Sequence, residues 1–387
     1  MTPAARVQAS ISILDDILAG APVEKALTGW ARRSRYAGSK DRAAIRDHVF
    51  DALRCKRSFA ARGGSETGRG LMIGAIRSSG NDLSQYFTGE RYAPTPVTET
   101  EQDQTFRTEA EGLDIPEWLW PEFTASLGDE AKAAAKALQG RAPVHLRVNK
   151  SRANRAEVTQ RLSDEGILTQ PHPACDTALG VTSGVRKISQ SQAYLEGLVE
   201  LQDAASQAVV AALDLQPGMR VLDYCAGGGG KALALAAMAK NVQVFAHDVN
   251  PGRMKDLPAR AKRAGADVTL LTSDMVAGQA PFDIVLVDAP CSGSGSWRRS
   301  PAGKWALTPE RLANLTQTQA AIMRNVVALT ADAGTLVYAT CSMLAVENNA
   351  IVDTFLCEHP DWQAEFRKTW LVSHGADGFY SAHLTRI

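Results

Sequence analysis

Two cysteines follow two apolar runs some fifty positions apart. One lies in Asp288-Ala-Pro-Cys-Ser-Gly-Ser-Gly295, directly after Phe282–Val287. The other lies in Thr340-Cys-Ser342, directly after Gly334–Ala339. Short branched-apolar runs of this kind read as buried parallel strands. In an open α/β sheet, ligands bind just beyond the carboxyl ends of the strands. A thiolate there can add to an electron-poor carbon, because it is accessible near neutral pH and intrinsically nucleophilic. One such target is carbon 6 of cytosine. Carbon 5 of that ring is too weak a nucleophile to take a methyl group unaided, and thiolate addition at carbon 6 makes it carbanion-like. A base then removes the carbon-5 proton and the thiol leaves. Asp288 can hydrogen-bond the ring nitrogen and the exocyclic amine. The plain alternative for either cysteine is a small buried hydrophobe.

A second chemical stretch is Asp223-Tyr-Cys-Ala-Gly-Gly-Gly-Gly-Lys231. Its four glycines, Gly227, Gly228, Gly229 and Gly230, let backbone approach a ligand closely. A phosphate-binding P-loop needs glycine where Cys225 stands and Ser or Thr where Ala232 stands, so that reading fails. A dinucleotide pattern through Gly227, Gly229 and Ala232 stays open, as does S-adenosylmethionine. Asp248 and Asp274 close the next two strands and offer carboxylates for ribose and adenine, although a single acid there can equally be a helix cap. Three acids at successive strand ends beside a glycine loop favour a nucleotide, and the two cysteines favour the methyl donor over NAD.

These residues need strands to carry them. From Leu201 onward, strands (220–226, 242–247, 268–271, 282–287, 336–339) alternate with helices (231–239, 251–264, 309–329, 346–356). That alternation predicts a Rossmann-like parallel sheet covered on both faces. Upstream, strand 141–149, a helix over 151–166 capped by Ser151, and short strands to about 197 make a small α+β module. Residues 1 to about 62 read as helices, with linkers at 63–70 and 93–112. The domains expected are 1–135 helical, 140–200 small α+β and 201–387 catalytic.

Net charge is zero over 387 residues, so the chain as a whole is no polyanion magnet. Arg32–Arg62 nonetheless holds ten Lys/Arg against three Asp. It is either a solvated helix face or a phosphate-contacting one. Six cysteines without C-x-x-C pairs argue against a disulfide scaffold and against zinc. With no apolar span and no signal pattern, a cytoplasmic, metal-free monomer is expected.

The chain resembles the Rsm/Nol/Nop/Sun family of RNA cytosine-5 methyltransferases. The stretches that carry the resemblance are Leu201–Gln207, Asp223–Lys231, Asp288–Gly295, Arg298–Trp305, Thr340–Ser342 with Glu347-Asn348, and Asp377–Leu384. The resemblance implies that Cys341 is the nucleophile, that Cys291 assists release of the methylated RNA, and that the cofactor is S-adenosylmethionine. It implies that the loop Cys225, Ala226, Gly227–Gly230 with Lys231, together with Asp248, Asp274 and Asp288, binds the cofactor or the target base. Arg253 is expected to face the cofactor too, and the Cys225 thiol to be a buried bystander. Where the family loop carries Pro and Thr, this chain has Gly228 and Ala232; both changes keep the backbone donors and Lys231, so cofactor binding is expected to survive, at reduced strength. The N-terminal helices resemble a NusB-like RNA-binding domain and 140–200 an RRM-like module. Both imply an RNA partner, small-subunit ribosomal RNA ahead of transfer RNA. Trp297, Arg298, Arg299 and Lys304 are expected to stack on and clamp a splayed strand.

Overall fold

The computed structural model describes residues 1–387. They form two compact units: residues 1–124, 129–141 and 297–306 in one, and 125–128, 142–296 and 307–387 in the other. No helix is long and apolar enough to cross a membrane.

The first unit is helical. Helix Pro3–Leu18 starts where Thr2 accepts the Ala5 N–H at 3.2 Å and Pro3 supplies a ready-made φ. Val7, Leu14, Ile45, Val49, Leu71 and Met72 bury one stripe each of helices Pro3–Leu18, Ser39–Arg54 and Gly68–Ser78. The glycines of 63–70 are not all linker. Gly63 ends helix Lys56–Gly63, and Gly68 and Gly70 open the next helix. A Cβ on Gly63 would lie 1.8 Å from the Gly70 carbonyl oxygen, so these glycines let two helices touch backbone to backbone. Of the ten basic residues in 32–62, Arg46, Arg54, Lys56, Arg57 and Arg62 pair with acids. Arg32, Arg33, Arg35 and Lys40 stand exposed.

The second unit holds two sheets. The small one comprises β1 (His145–Val148), β2 (Leu168–Pro171), β3 (Ala178–Ser183) and β4 (Val199–Leu201), antiparallel in the order β2-β3-β1-β4. Its helix, Arg155–Asp164, is capped by Asn154, which forms a reciprocal box with Glu157. The helix therefore begins later than a Ser151 cap predicts, because the Asn–Glu pair satisfies two orphan N–H groups at once. The large sheet comprises β5 (Arg220–Asp223), β6 (Gln243–His247), β7 (Val268–Leu271), β8 (Phe282–Asp288), β9 (Thr330–Thr340), β10 (Trp362–Trp370) and β11 (Phe379–Arg386), in the order β10-β11-β9-β8-β5-β6-β7. β5 to β9 are parallel, whereas β10 and β11 run antiparallel at one edge. The alternation from Leu201 onward predicts only parallel strands. The C-terminal hairpin departs from it because only a single 3-10 turn, Val372–His374, and no α-helix separates its strands.

Alternate residues of β8 feed two cores. Ile284 and Leu286 pack with Val221, Val244 and Val337; Val285 and Val287 pack with Leu222, Phe245 and Tyr338. Apolar residues on both faces are what a central parallel strand requires. Buried polar groups join the sheets. Asn149 donates to the carbonyls of Gly197 and Ala264 at 3.0 and 2.9 Å, and Arg147 donates to Gly230 O at 2.6 Å. Burial pushes the Arg147 guanidinium down to about 10. The small module thus grips the first turn of the helix that follows the glycine loop.

Candidate active site

The chain leaves β5 toward β6 on one side and returns to β8 and β9 on the other. The ends of β5 and β8 are therefore the point where strand order reverses, the place where open α/β sheets bind their ligands. Asp223, Asp288 and Thr340 are the last residues of β5, β8 and β9. The two cysteine turns follow β8 and β9, which are neighbours in the sheet, and the Cys291 and Cys341 sulfurs approach to 3.4 Å. Both are free thiols. The turns are laced together: Gly295 N–H donates to Cys341 O at 3.0 Å and Met343 N–H donates to the Ser294 hydroxyl at 2.8 Å. Gly295 must be glycine, since a Cβ would meet Gly378 O at 2.0 Å. The hydrogen bond with Cys341, and then burial, push the Cys291 thiol well above its ordinary range. Cys291 is therefore a thiol that can donate toward its neighbour's sulfur.

The glycine loop is tied to β6 by two bonds, Ala226 N–H to His247 O at 2.8 Å and Gly227 N–H to Asp248 at 2.9 Å. Gly229 has φ +76°, and a Cβ on it would sit 2.3 Å from the Leu257 side chain, so no other residue fits. Gly228 and Gly230 have neither constraint of φ. Ala232 is fully buried, so a methyl occupies the position of the family's threonine. The buried Asp248 carboxylate also accepts from Asn250 N–H at 2.9 Å and pairs with Arg253 at 3.1 Å. Arg253 thus lies over the loop through Asp248. Asp274 bonds only locally, with the Thr272 hydroxyl at 2.5 Å, in the first turn of helix Ser273–Gln279. That hydroxyl holds its carboxyl below the usual range. Burial first, then Asp223 and its fellow acids, push the Cys225 thiol up far above its ordinary value, which leaves it an unreactive thiol.

Lys231, itself buried, pairs with Asp288 at 2.6 Å and lies 4.9 Å over the Phe379 ring. Asp288 keeps about a third of its side chain exposed. Asp223 is a residue to which the sequence reading assigned no role. It is fully buried, and neither carboxyl oxygen has a hydrogen-bond partner in good geometry. Burial, and then the Asp288 charge, push it up to about 7, against the pull of Lys231 and the Ala232 N–H. Its signal in sequence was an acid ending the first strand, the same placement that singled out Asp248.

Stability should fall as pH rises from about 4 to about 7 and level beyond, because the folded Asp223 keeps a proton that the unfolded carboxyl has released in that window. Asp223→Asn should flatten that part of the profile, read as urea midpoints at successive pH. An unchanged slope would mean that Asp223 is ionised throughout.

The segment after the Pro-Cys turn overturns an expectation. Trp297, Arg298 and Lys304 are buried; only Arg299 is exposed. Lys304 donates to Arg54 O at 2.9 Å, Trp305 to Leu53 O at 2.6 Å, and Arg54 to Arg298 O at 2.7 Å. Burial pushes the Lys304 ammonium down to about 8. Trp297, Arg298 and Lys304 are therefore enclosed within the helical unit instead of standing free to clamp a strand.

A seven-stranded sheet in this order, with a glycine loop after its first parallel strand and acids at the following strand ends, defines a Rossmann-like methyltransferase-type domain. Residues 210–385 match the family described as 16S rRNA methyltransferase RsmB/F, and residues 115–187 match the RsmF/B-like ferredoxin-like domain. The chain belongs to this RsmB/F family. It is 34% identical over 260 residues to the probable ribosomal RNA small subunit methyltransferase B of Bacillus subtilis, covering 65% of this chain and 57% of that one. It is 35% identical over 251 residues to the ribosomal RNA small subunit methyltransferase B of Citrobacter koseri, covering 64% and 58%. The chain thus spans less than two thirds of the length of these relatives. In fold it is similar to the crystal structure of PH0851, with a TM-score of 0.76 at 24% identity over 100% of this chain and 99% of that one. It is also similar to NSun6 from Pyrococcus horikoshii with SFG, with a TM-score of 0.62 at 17% identity over 70% and 98%.

Proposed function

We propose that this protein transfers a methyl group from S-adenosylmethionine to carbon 5 of a cytosine in RNA, and that the RNA is small-subunit ribosomal RNA. The observation that carries the reading is the 3.4 Å approach of the Cys291 and Cys341 sulfurs at the ends of adjacent strands, beside Asp288 and the glycine loop. The residues present suit the cofactor. Its ammonium and sulfonium are cationic, and Asp223 offers two buried carboxyl oxygens that no hydrogen bond of good geometry satisfies. Asp248 would take the ribose hydroxyls, the loop Ala226–Gly230 the amino-acid portion, and the exposed Asp274 the adenine edge. When bound, the cofactor supplies an electrophilic methyl group.

The chain's own residues do the rest. The Cys341 sulfur adds to carbon 6 as its thiol proton passes to the ring nitrogen, and Asp288 accepts from that N–H and from the exocyclic amine. Carbon 5 is then nucleophilic enough to accept the methyl. For release, a base takes the carbon-5 proton, the C–H pair re-forms the ring double bond, the C6–S bond breaks with its electrons on Cys341, and the ring nitrogen's proton returns to that sulfur. The Cys291 S–H donates a hydrogen bond to that departing sulfur. The target base must leave any stack to reach Cys341, so a loop or single-stranded nucleotide is the substrate form. We place RNA docking on the helices of residues 1–135, a NusB-like part, where Arg32, Arg33, Arg35 and Lys40 are exposed, and on the RRM-like module of 140–200.

The test is transfer of a labelled methyl group to small-subunit ribosomal RNA and to bulk transfer RNA, with bisulfite sequencing of each. A new protected cytosine in the ribosomal RNA is the expected result. Protection confined to transfer RNA changes the substrate, and RNA binding without transfer leaves only an assembly factor. Thermal stabilisation by NAD in place of S-adenosylmethionine would remove the reading altogether.

A further inference from the structure

We propose that Glu347 is the positioning residue that holds the two cysteine turns in register, so that Cys291 can serve the departure of Cys341; this rests on the reading above. Glu347 lies six residues past Cys341, in the turn before helix Asn349–Glu358, and is completely buried. Its carboxylate reaches across to the other cysteine turn. Oε1 accepts from Ser292 N–H at 2.7 Å and from Gln319 Nε2 at 3.1 Å. Oε2 accepts from the Ser342 hydroxyl at 2.5 Å and from the Ser292 hydroxyl. Ser292 immediately follows Cys291, and Ser342 immediately follows Cys341. One carboxylate therefore joins the residue after each sulfur.

A buried carboxylate is costly unless its lone pairs are filled, and here every donor is neutral. No Lys, Arg or His forms an ion pair with it. Such an arrangement is not the efficient way to stabilise a fold, since apolar side chains would fill the space at lower cost. What it supplies is geometry. The turn after Cys291 reads Ser-Gly-Ser-Gly and has no apolar side chain of its own to fix it, whereas the turn after Cys341 is anchored by buried Met343 and Leu344. Gln319 extends the clamp, donating also to Pro290 O at 2.9 Å, which pins the residue before Cys291. On the far side, Tyr338 donates to Glu347 O at 2.6 Å, and the Thr340 hydroxyl donates to Asn348 at 2.6 Å. The carboxylate is thus held from β9 and delivered to the β8 turn. Its negative charge also acts in the same sense as burial on Cys291, favouring the protonated thiol that donates to the leaving sulfur.

The experiment compares Glu347→Ala, Glu347→Gln and Cys291→Ala in single-turnover and multiple-turnover methylation, with denaturing gels to detect protein covalently joined to RNA. Glu347→Ala should still add to the ring and accept one methyl, then stall. Covalent adduct accumulates and turnover falls by about 100-fold, the scale expected when a group is misplaced by about an ångström. Glu347→Gln should recover most of that loss. Its carbonyl can take the two N–H donors at Oε1, and its NH2 can donate to the two serine hydroxyls. That recovery separates positioning by the side chain from simple loss of fold. Ser292→Ala removes only the hydroxyl leg, and should show the same adduct more weakly, which covers the case that Glu347→Ala does not fold. Turnover in Glu347→Ala at the wild-type rate, or lost turnover with no adduct while Cys291→Ala accumulates one, overturns the proposal. No adduct in Cys291→Ala points instead at the release role of Cys291, and removes the reading on which this one stands.

Discussion

Cys341→Ala is expected to lower methyl transfer to RNA by at least about 10⁴-fold, with cofactor and RNA affinity nearly unchanged. Loss of a covalent nucleophile removes an intermediate, not a contact, so the effect falls on the chemical step. The substitution is mild for the fold. Cys341 packs only partly against the core, and its backbone carbonyl keeps the bond from Gly295 N–H whatever the side chain. Unchanged melting with abolished transfer is therefore the expected pattern. Cys291→Ala should differ in kind, giving a covalent protein–RNA species that survives denaturation, because addition still proceeds while release does not. Labelled-methyl transfer and denaturing gels on both variants check the pair. Full activity in Cys341→Ala would falsify the covalent route outright.

The second large effect lies in the Lys231–Asp288 pair. Asp288→Ala removes the ion-pair partner of a buried ammonium and leaves it the Phe379 ring face and the nearby Asp223 carboxyl. Breaking a buried pair from one side costs about 3–5 kcal/mol, and the exposed third of Asp288 reduces this to roughly 2 kcal/mol. Transfer should fall by about 10³-fold as well, since in the proposed mechanism Asp288 is the group that would hold the base amine. Lys231→Met combined with Asp288→Leu should recover part of the lost stability, because no unpaired charge remains. It should recover none of the activity. Urea denaturation of the two single variants and the double, set beside labelled transfer, separates the structural from the catalytic share. Activity returning with stability in the double variant would show that Asp288 acts only through the fold.

Much of the large sheet was readable because its signal is local. The run Phe282–Val287 is apolar on both faces, and only a central parallel strand satisfies that. The Rossmann-like class follows from the alternation of such runs with helices. Locality is also why other elements were missed. Trp362–Trp370 and Phe379–Arg386 alternate with polar residues and lack an α-helix between them, so nothing in the helix–strand rhythm announces an antiparallel edge. The helix Ser273–Gln279 is too short to show a period. Gly63, Gly68 and Gly70 resemble a linker by composition, and only the neighbouring helix shows them to be a close approach.

For the site, residue type and place along the chain were enough to mark Cys291, Cys341, Asp288, Lys231 and Asp248, since each follows or ends a strand that its own neighbours specify. Their mutual arrangement was not there to be read. That β8 and β9 are adjacent, bringing two sulfurs fifty positions apart to 3.4 Å, depends on pairing between distant segments, which neither segment encodes alone. The same holds for the burial of Arg298 and Lys304, where a basic run that looked made for phosphate is instead tied to helix Ser39–Arg54: the Arg298 carbonyl accepts from the Arg54 side chain, and Lys304 and Trp305 donate to the Arg54 and Leu53 carbonyls. It holds for Glu347 and Asp223, whose importance lies in what surrounds them. One carboxylate finds four donors in the fold and the other finds none in good geometry, and a linear chain assigns neither outcome.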